Sequence, residues 1–134
     1  MVVRAVAVVL VVEDDPGIRL VVTESLRDAC FDVRAAASAA DALSVVMSGD
    51  RIDVMVLDLM LNGVSGADLL KTVRSLPGFQ DVPAVVTTGA EPSRDVFPPA
   101  GSYQAFLRKP YRLSALIATL TNLVDELRLR DATG

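Results

Sequence analysis

The sequence predicts an α/β protein, a parallel sheet covered by helices on both faces. Three observations predict it. Short, unbroken apolar runs recur along the chain, as expected of strands buried on both sides. The stretches between them carry apolar residues at helical spacing. Runs and helical stretches alternate, which is the order of parallel strands joined by helical crossovers.

The first run, Ala5 to Val12, reads as a buried strand. Asp15 can cap the helix that follows, and Pro16 suits a first helical position. That helix is predicted over Pro16 to Ala29, with Ile18, Val21, Val22, Leu26 and Ala29 on one stripe. Phe31 to Ala35 reads as a short second strand. A second helix follows over Ser38 to Ser48, with Ala39, Ala42, Leu43, Val46 and Met47 on its apolar face. Ser38 and Asp41 form a variant capping box there, and Gly49 ends the helix. The third strand, Asp53 to Asp58, leads into a loop containing Asn62, Gly63 and Gly66. A third helix runs from about Ala67 to Ser75, where Pro77-Gly78 breaks it. The fourth strand is Pro83 to Thr88. Between Gly89 and Tyr103 lie Pro92, Pro98, Pro99 and Gly101, so this crossover is expected to hold a short helix or an irregular loop. A shorter fifth strand, Ala105-Phe106-Leu107, precedes a last helix over Leu113 to Leu129. Leu113, Leu116, Ile117, Leu120, Val124 and Leu127 mark that helix. The tail Arg130 to Gly134 is expected to fray. One domain is expected over residues 1–134, with its core at about 5–125.

Composition narrows the function. Of 134 residues, 51% are hydrophobic and 22% charged, enough apolar material for a core and too little charge for disorder. A net charge of −4 disfavours direct binding to a nucleic-acid backbone, which needs basic patches. The single cysteine, Cys30, excludes an intrachain disulfide and a thiolate zinc cluster, and is expected as a buried core thiol. There is no histidine, which removes histidine acid–base catalysis, Ser-His-Asp triads and most zinc enzymes. Met1 to Val12 superficially resembles a signal peptide, but Glu13-Asp14-Asp15-Pro16 stands where a small-residue cleavage site would be. The run is also too short to span a bilayer. No membrane association and a cytoplasmic location are expected.

Four of the five apolar runs end in chemically active residues. The first meets Glu13-Asp14-Asp15, the third Asp58, the fourth Thr87-Thr88-Gly89, and the fifth Arg108-Lys109-Pro110. In an open parallel sheet the C-terminal strand ends share one edge, and ligands bind there. Glu13, Asp14 and Asp58 on that edge would repel one another, and close carboxylates take up a proton or bind a cation. A hard divalent ion with oxygen ligands, Mg2+ first among them, suits such a set. Asp58 is the candidate nucleophile, since a carboxylate can attack a phosphoryl group. Lys109 would add positive charge and Thr88 a hydroxyl donor, and phosphoryl transfer needs chiefly positioning and charge stabilisation. Taken singly, Lys109 is a common surface lysine and Thr88 a common strand-end hydroxyl. Their combination and order carry the signal.

These segments resemble the CheY-like receiver domain of two-component response regulators. The matching pieces are Val11-Val12-Glu13-Asp14-Asp15-Pro16, Val56-Leu57-Asp58-Leu59-Met60-Leu61, Pro83-Ala84-Val85-Val86-Thr87-Thr88-Gly89 and Lys109-Pro110-Tyr111. The resemblance implies a doubly wound five-stranded sheet in the order 2-1-3-4-5. It implies that Asp58 accepts a phosphoryl group from a histidine kinase or a histidine phosphotransfer protein. Asp14 and Asp58 would bind Mg2+ directly, Glu13 through water, and the backbone carbonyl of Met60 would be a third protein ligand. Thr88 would be the switch hydroxyl, Lys109 its charge partner, and Phe106 the switch aromatic. The domain would catalyse only its own phosphorylation and dephosphorylation. A downstream protein target and a monomer or weak dimer complete the expectation.

The chain departs from the family pattern in places. Asn62 stands where a proline is usual, and Gly89 replaces a commoner alanine. The Pro-rich stretch Glu91 to Gly101 lies where the family has a full fourth helix, part of the surface through which many receivers signal. Three other classes compete. A flavodoxin-like or dinucleotide-binding protein wants Gly or Ser/Thr after the first strand, and the acids here would repel its phosphates. A phosphatase of the haloacid dehalogenase type would carry a second acid where Met60 stands. A receiver-like interaction module that does not use phosphate is the main alternative, and the intact Asp14, Asp58, Thr88 and Lys109 argue against it.

Overall fold

The computed structural model describes residues 6–89 and 97–133. Five parallel strands form one sheet. They are β1 (Val8–Val12), β2 (Asp32–Ala36), β3 (Val54–Asp58), β6 (Ala84–Thr88) and β7 (Ala105–Arg108), in the order β2-β1-β3-β6-β7. This is the predicted 2-1-3-4-5 order, because β4 (Met60–Leu61) and β5 (Val64–Ser65) form a separate antiparallel hairpin. The helices are α1 (Pro16–Asp28), α2 (Ala39–Met47), α3 (Gly66–Arg74) and α4 (Leu113–Thr133).

Strand alternation divides the core in two. Leu10, Leu57 and Val86 face α2 and α3, packing with Leu70 and Val73. Val9, Val54 and Val85 face α1 and α4, packing with Leu26, Leu116 and Leu120. The central strands are buried along their whole length, as their unbroken Val and Leu runs require. The predicted caps form. Asp15 accepts the Ile18 N–H at 2.9 Å and Ser38 the Asp41 N–H at 3.1 Å, while Ser65 caps α3 through the Asp68 N–H.

Several expectations need correction. On α1 the buried positions are Val22, Thr23 and Leu26, while Ile18 and Val21 are exposed. The helix lies on the sheet by a narrower stripe than its apolar content suggested. On α2 only Ala42 and Val46 are fully buried, and Met47 at the last turn is 72% exposed. Cys30 is exposed, because it occupies the turn after α1 with φ 70° and its N–H bonds to the Arg27 carbonyl. The last helix extends four residues past the predicted Leu129. No Gly or Pro interrupts residues 113–133, and α4 continues to Thr133. The expected short helix or irregular loop between Gly89 and Tyr103 falls partly on residues 90–96, outside those described. No described helix is long and apolar enough to cross a membrane.

Arg74, the last residue of α3, joins three segments. Its Nε and Nη2 donate to the Ser102 carbonyl at 3.1 and 2.6 Å, and its Nη1 to Phe79 and Val82 carbonyls at 2.8 and 2.6 Å. Burial lowers its pKa from the usual guanidinium value. These bonds tie the approaches to β6 and β7 to α3. We expect Arg74→Ala to lower unfolding stability by about 2 kcal/mol, since it leaves partly buried carbonyls unpaired. Arg74→Lys should recover little, because an ammonium cannot reproduce the planar fork. Denaturant unfolding measures both, and full recovery by Lys would show that charge alone matters.

Candidate functional site

The sheet register assembles the site at the C-terminal strand ends. Val12 pairs with Leu57, Asp58 with Thr87, and Thr88 with Arg108. Glu13 and Asp14 therefore leave β1 beside Asp58, while the Lys109 N–H donates to the Thr88 carbonyl at 2.9 Å. Glu13 and Asp58 are both 4% exposed and Thr88 is fully buried. Asp14 is half-buried. One carboxylate oxygen from each of Glu13, Asp14 and Asp58 lies within 4.8 Å of the others.

Charge and hydrogen bonds hold this cluster. Lys109 Nζ donates to Asp58 Oδ2 at 2.7 Å and to Glu13 Oε1 at 2.5 Å. Burial by itself would lower the Lys109 pKa, but the bonds to Asp58 and Glu13 outweigh it, and the net shift is upward. Burial raises the Glu13 pKa, and Lys109 only partly offsets it. The Met60 N–H donates to Asp58 Oδ1 at 3.0 Å, the Asp15 N–H to Glu13 Oε2 at 3.2 Å, and the Asn62 N–H to Asp14 Oδ2 at 2.9 Å. Arg19 Nη1 bonds the carbonyls of Glu13 and Asp14 at 2.9 and 3.3 Å, bracing the acidic turn against α1. The Lys109–Pro110 peptide is cis.

The structure brings together Glu13, Asp14, Asp58, Thr88 and Lys109. Met60 sits directly beside Asp58 through its main chain, while its side chain is half exposed. Phe106 lies one turn of the pleat away, half-buried and edge-on to Phe97 with ring centroids 5.0 Å apart. Three carboxylates at this separation, with half-open access at Asp14, fit a hard divalent cation.

Sequence reasoning missed the supports of the site. Gly66 was legible only as a loop glycine, yet a Cβ there would stand 2.1 Å from the Asp58 carbonyl oxygen and 2.7 Å from the Leu59 Cα. A glycine directly after the capping Ser65 was the available signal. The main-chain donor of Asn62 and the brace from Arg19 left no mark in the residue pattern.

Comparison with known proteins agrees with this geometry. Residues 9–121 match the response regulator receiver domain. The response regulator MprA of Mycobacterium ulcerans is 31% identical over 124 residues, 92% of this chain and 52% of that protein. The sensor kinase CckA of Brucella abortus is 28% identical over 124 residues, 90% of this chain and 13% of that protein. The chain thus spans about half, or less, of these curated relatives. Among solved structures, a CheY-like receiver domain protein from Methanospirillum hungatei aligns with TM-score 0.85 at 21% identity, over 94% of this chain and 99% of the other. The chemotaxis regulator CheY4 of Vibrio cholerae aligns with TM-score 0.78 at 29% identity, over 89% and 99%. A buried acidic cluster with a lysine at the end of a five-stranded parallel sheet defines a phosphoacceptor signalling domain. The chain belongs to the response regulator receiver domain family of two-component signalling.

Proposed function

We propose that Asp58 is the phosphoacceptor, that Glu13, Asp14, Asp58 and the Met60 carbonyl hold Mg2+, and that Thr88, Lys109 and Phe106 convey the phosphorylated state. The observation that carries this reading is the Lys109 ammonium bonded at once to Asp58 and Glu13 within a triad of carboxylates. An Asp58 oxygen attacks the phosphorus of a phosphohistidine or acyl phosphate. An O–P bond forms at Asp58 as the donor's P–N or P–O bond breaks, and the donor keeps the bonding pair. Mg2+, when bound, neutralises charge on the transferring oxygens. Lys109 gives a second positive charge, and its bond to Asp58 keeps the nucleophile oriented. The Thr88 hydroxyl then bonds a phosphoryl oxygen, and movement of Thr88 and Phe106 biases a two-state equilibrium. The domain would catalyse this gain and the later hydrolysis of its own phosphoryl group.

The donor would be a histidine kinase or histidine phosphotransfer protein. An apolar groove of about 530 Å³ beside Lys109, between Ile18 and Val21 of α1 and Pro110, Tyr111 and Leu113, supports a protein donor. A downstream target would meet the segment 89–101, of which 90–96 lie outside the described residues, together with β7 and α4. A single domain over 1–134, in the cytoplasm and as a monomer or weak dimer, belongs to the same proposal. One continuous sheet with its two cores supports the single domain.

The test uses Mg2+ and acetyl phosphate with intact-protein mass spectrometry. The wild-type chain is expected to gain one phosphoryl group and Asp58→Asn none. No gain, or an equal gain in Asp58→Asn, overturns the assignment. Asp14→Ala is expected to lose calorimetric Mg2+ binding. Unchanged affinity would remove Asp14 from the ligand set.

A further inference from the structure

The β4–β5 hairpin reaches two carboxylates of the site through its main chain. At its base the Met60 N–H holds Asp58 Oδ1, and at its tip the Asn62 N–H holds Asp14 Oδ2. Asn62 and Gly63 form the two-residue tip, with φ 47° and 80°. Two successive positive φ values are those of the tight hairpin turn that Asn-Gly favours. The turn therefore fixes where the Asn62 N–H points. A proline at this position could make no such bond, having no N–H and a φ locked negative.

Asp14 needs such a hold. It is the least buried of the three carboxylates, and the other two repel it towards water. Lys109 offsets this only in part, because its bonds go to Glu13 and Asp58 and not to Asp14. A fixed donor on one Asp14 oxygen opposes that repulsion and leaves the other oxygen for an ion. We propose that the Asn62 main-chain N–H is a positioning group for the cation site, keeping Asp14 in place as a ligand before the ion binds. The hairpin then links the ligand to the nucleophile, since one short element holds both Asp14 and Asp58. The side chain of Asn62 serves the turn, and its N–H serves the site.

This inference rests on the cation reading of the site, and the experiment separates the two. Calorimetric titration with Mg2+ alone compares wild type, Asn62→Pro and Asn62→Gly. Asn62→Pro, which removes the donor, is expected to bind about three- to tenfold more weakly, the range for a charge-assisted bond open to solvent. Asn62→Gly, which keeps the N–H and accepts the positive φ, is expected to restore wild-type affinity. Amide hydrogen exchange supplies an arm that needs no ion and survives any failure of the proline variant to fold. In Asp14→Ala, exchange at Asn62 is expected to rise about fivefold or more as its acceptor is lost. Wild-type affinity in a folded Asn62→Pro, equal weakening in both Asn62 variants, or unchanged Asn62 exchange in Asp14→Ala overturns the positioning role alone. Absence of Mg2+ binding by the wild-type chain overturns the cation reading and the role with it.

Discussion

Gly66→Ala is expected to destabilise the protein by about 3 kcal/mol or more and to abolish phosphoryl uptake. The added methyl carbon would stand 2.1 Å from the Asp58 carbonyl oxygen and 2.7 Å from the Leu59 Cα. Both atoms belong to backbone at the end of a central strand, so neither can move aside as a side chain would. The Leu59 N–H is bonded to the Thr87 carbonyl and the Gly66 N–H to the Leu59 carbonyl, each at 2.9 Å. Relief must come from lifting the start of α3, which would break the second of these and pull Leu69 and Leu70 from the core. Asp58 would shift with its own carbonyl. Denaturant unfolding and acetyl phosphate labelling read the two effects. A variant within about 0.5 kcal/mol of wild type would show that α3 does not pack this closely.

Lys109→Met is expected to lose phosphoryl uptake and about 1–3 kcal/mol of stability, a buried-pair loss discounted for the part-open site. Removing the ammonium leaves Glu13 and Asp58 close together without their shared counter-charge. The pH dependence has a definite sign. The folded pKa of Lys109 lies above its ordinary 10.5, so its stabilising contribution is complete below 10.5 and is lost as pH rises through the folded value. Glu13 has the same sign at the acid end. Its folded pKa lies above 4.5, the folded state holds that proton more tightly, and stability falls as pH rises from 4.5 through the folded value. Lys109→Met should therefore lack the alkaline loss and deepen the acidic one. Unfolding curves from acid to alkaline pH check both limbs. An alkaline limb identical to wild type would show that another group causes it.

The sequence made the sheet legible because its central strands are buried on both faces. Unbroken runs such as Val8 to Val12 admit little else, and each ends at the residue that the sheet then gathers. The helices were legible through their caps at Asp15 and Ser38. Their buried faces were less so. Spacing alone put Ile18 and Met47 inward, but how far a helix rolls on a sheet is decided by packing against its neighbours. Cys30 misled for a related reason, since residue type favours burial while its place in a left-handed turn dictates exposure. At the site, side chains that carry charge could be read and main-chain contacts could not. The Gly66 approach and the Asn62 donor depend on distances between segments that no single stretch encodes.

The two-sided core also sets an order on the birth of the protein. The centre of the sheet joins β1 to β3, whose partners Val9 and Val54 are far apart in the chain. Non-local pairing of this kind is slow to form, because loop closure must precede the contacts that reward it. During synthesis the α2–α3 side can close once β6 emerges. The other side waits for α4, whose Leu116, Leu120 and Val124 cover Val9, Val54 and Val85. Lys109, the last charge of the site, leaves the ribosome just ahead of that helix. A nascent chain can thus hold every reactive group while the part of this face that α4 covers is still bare to chaperones and to aggregation.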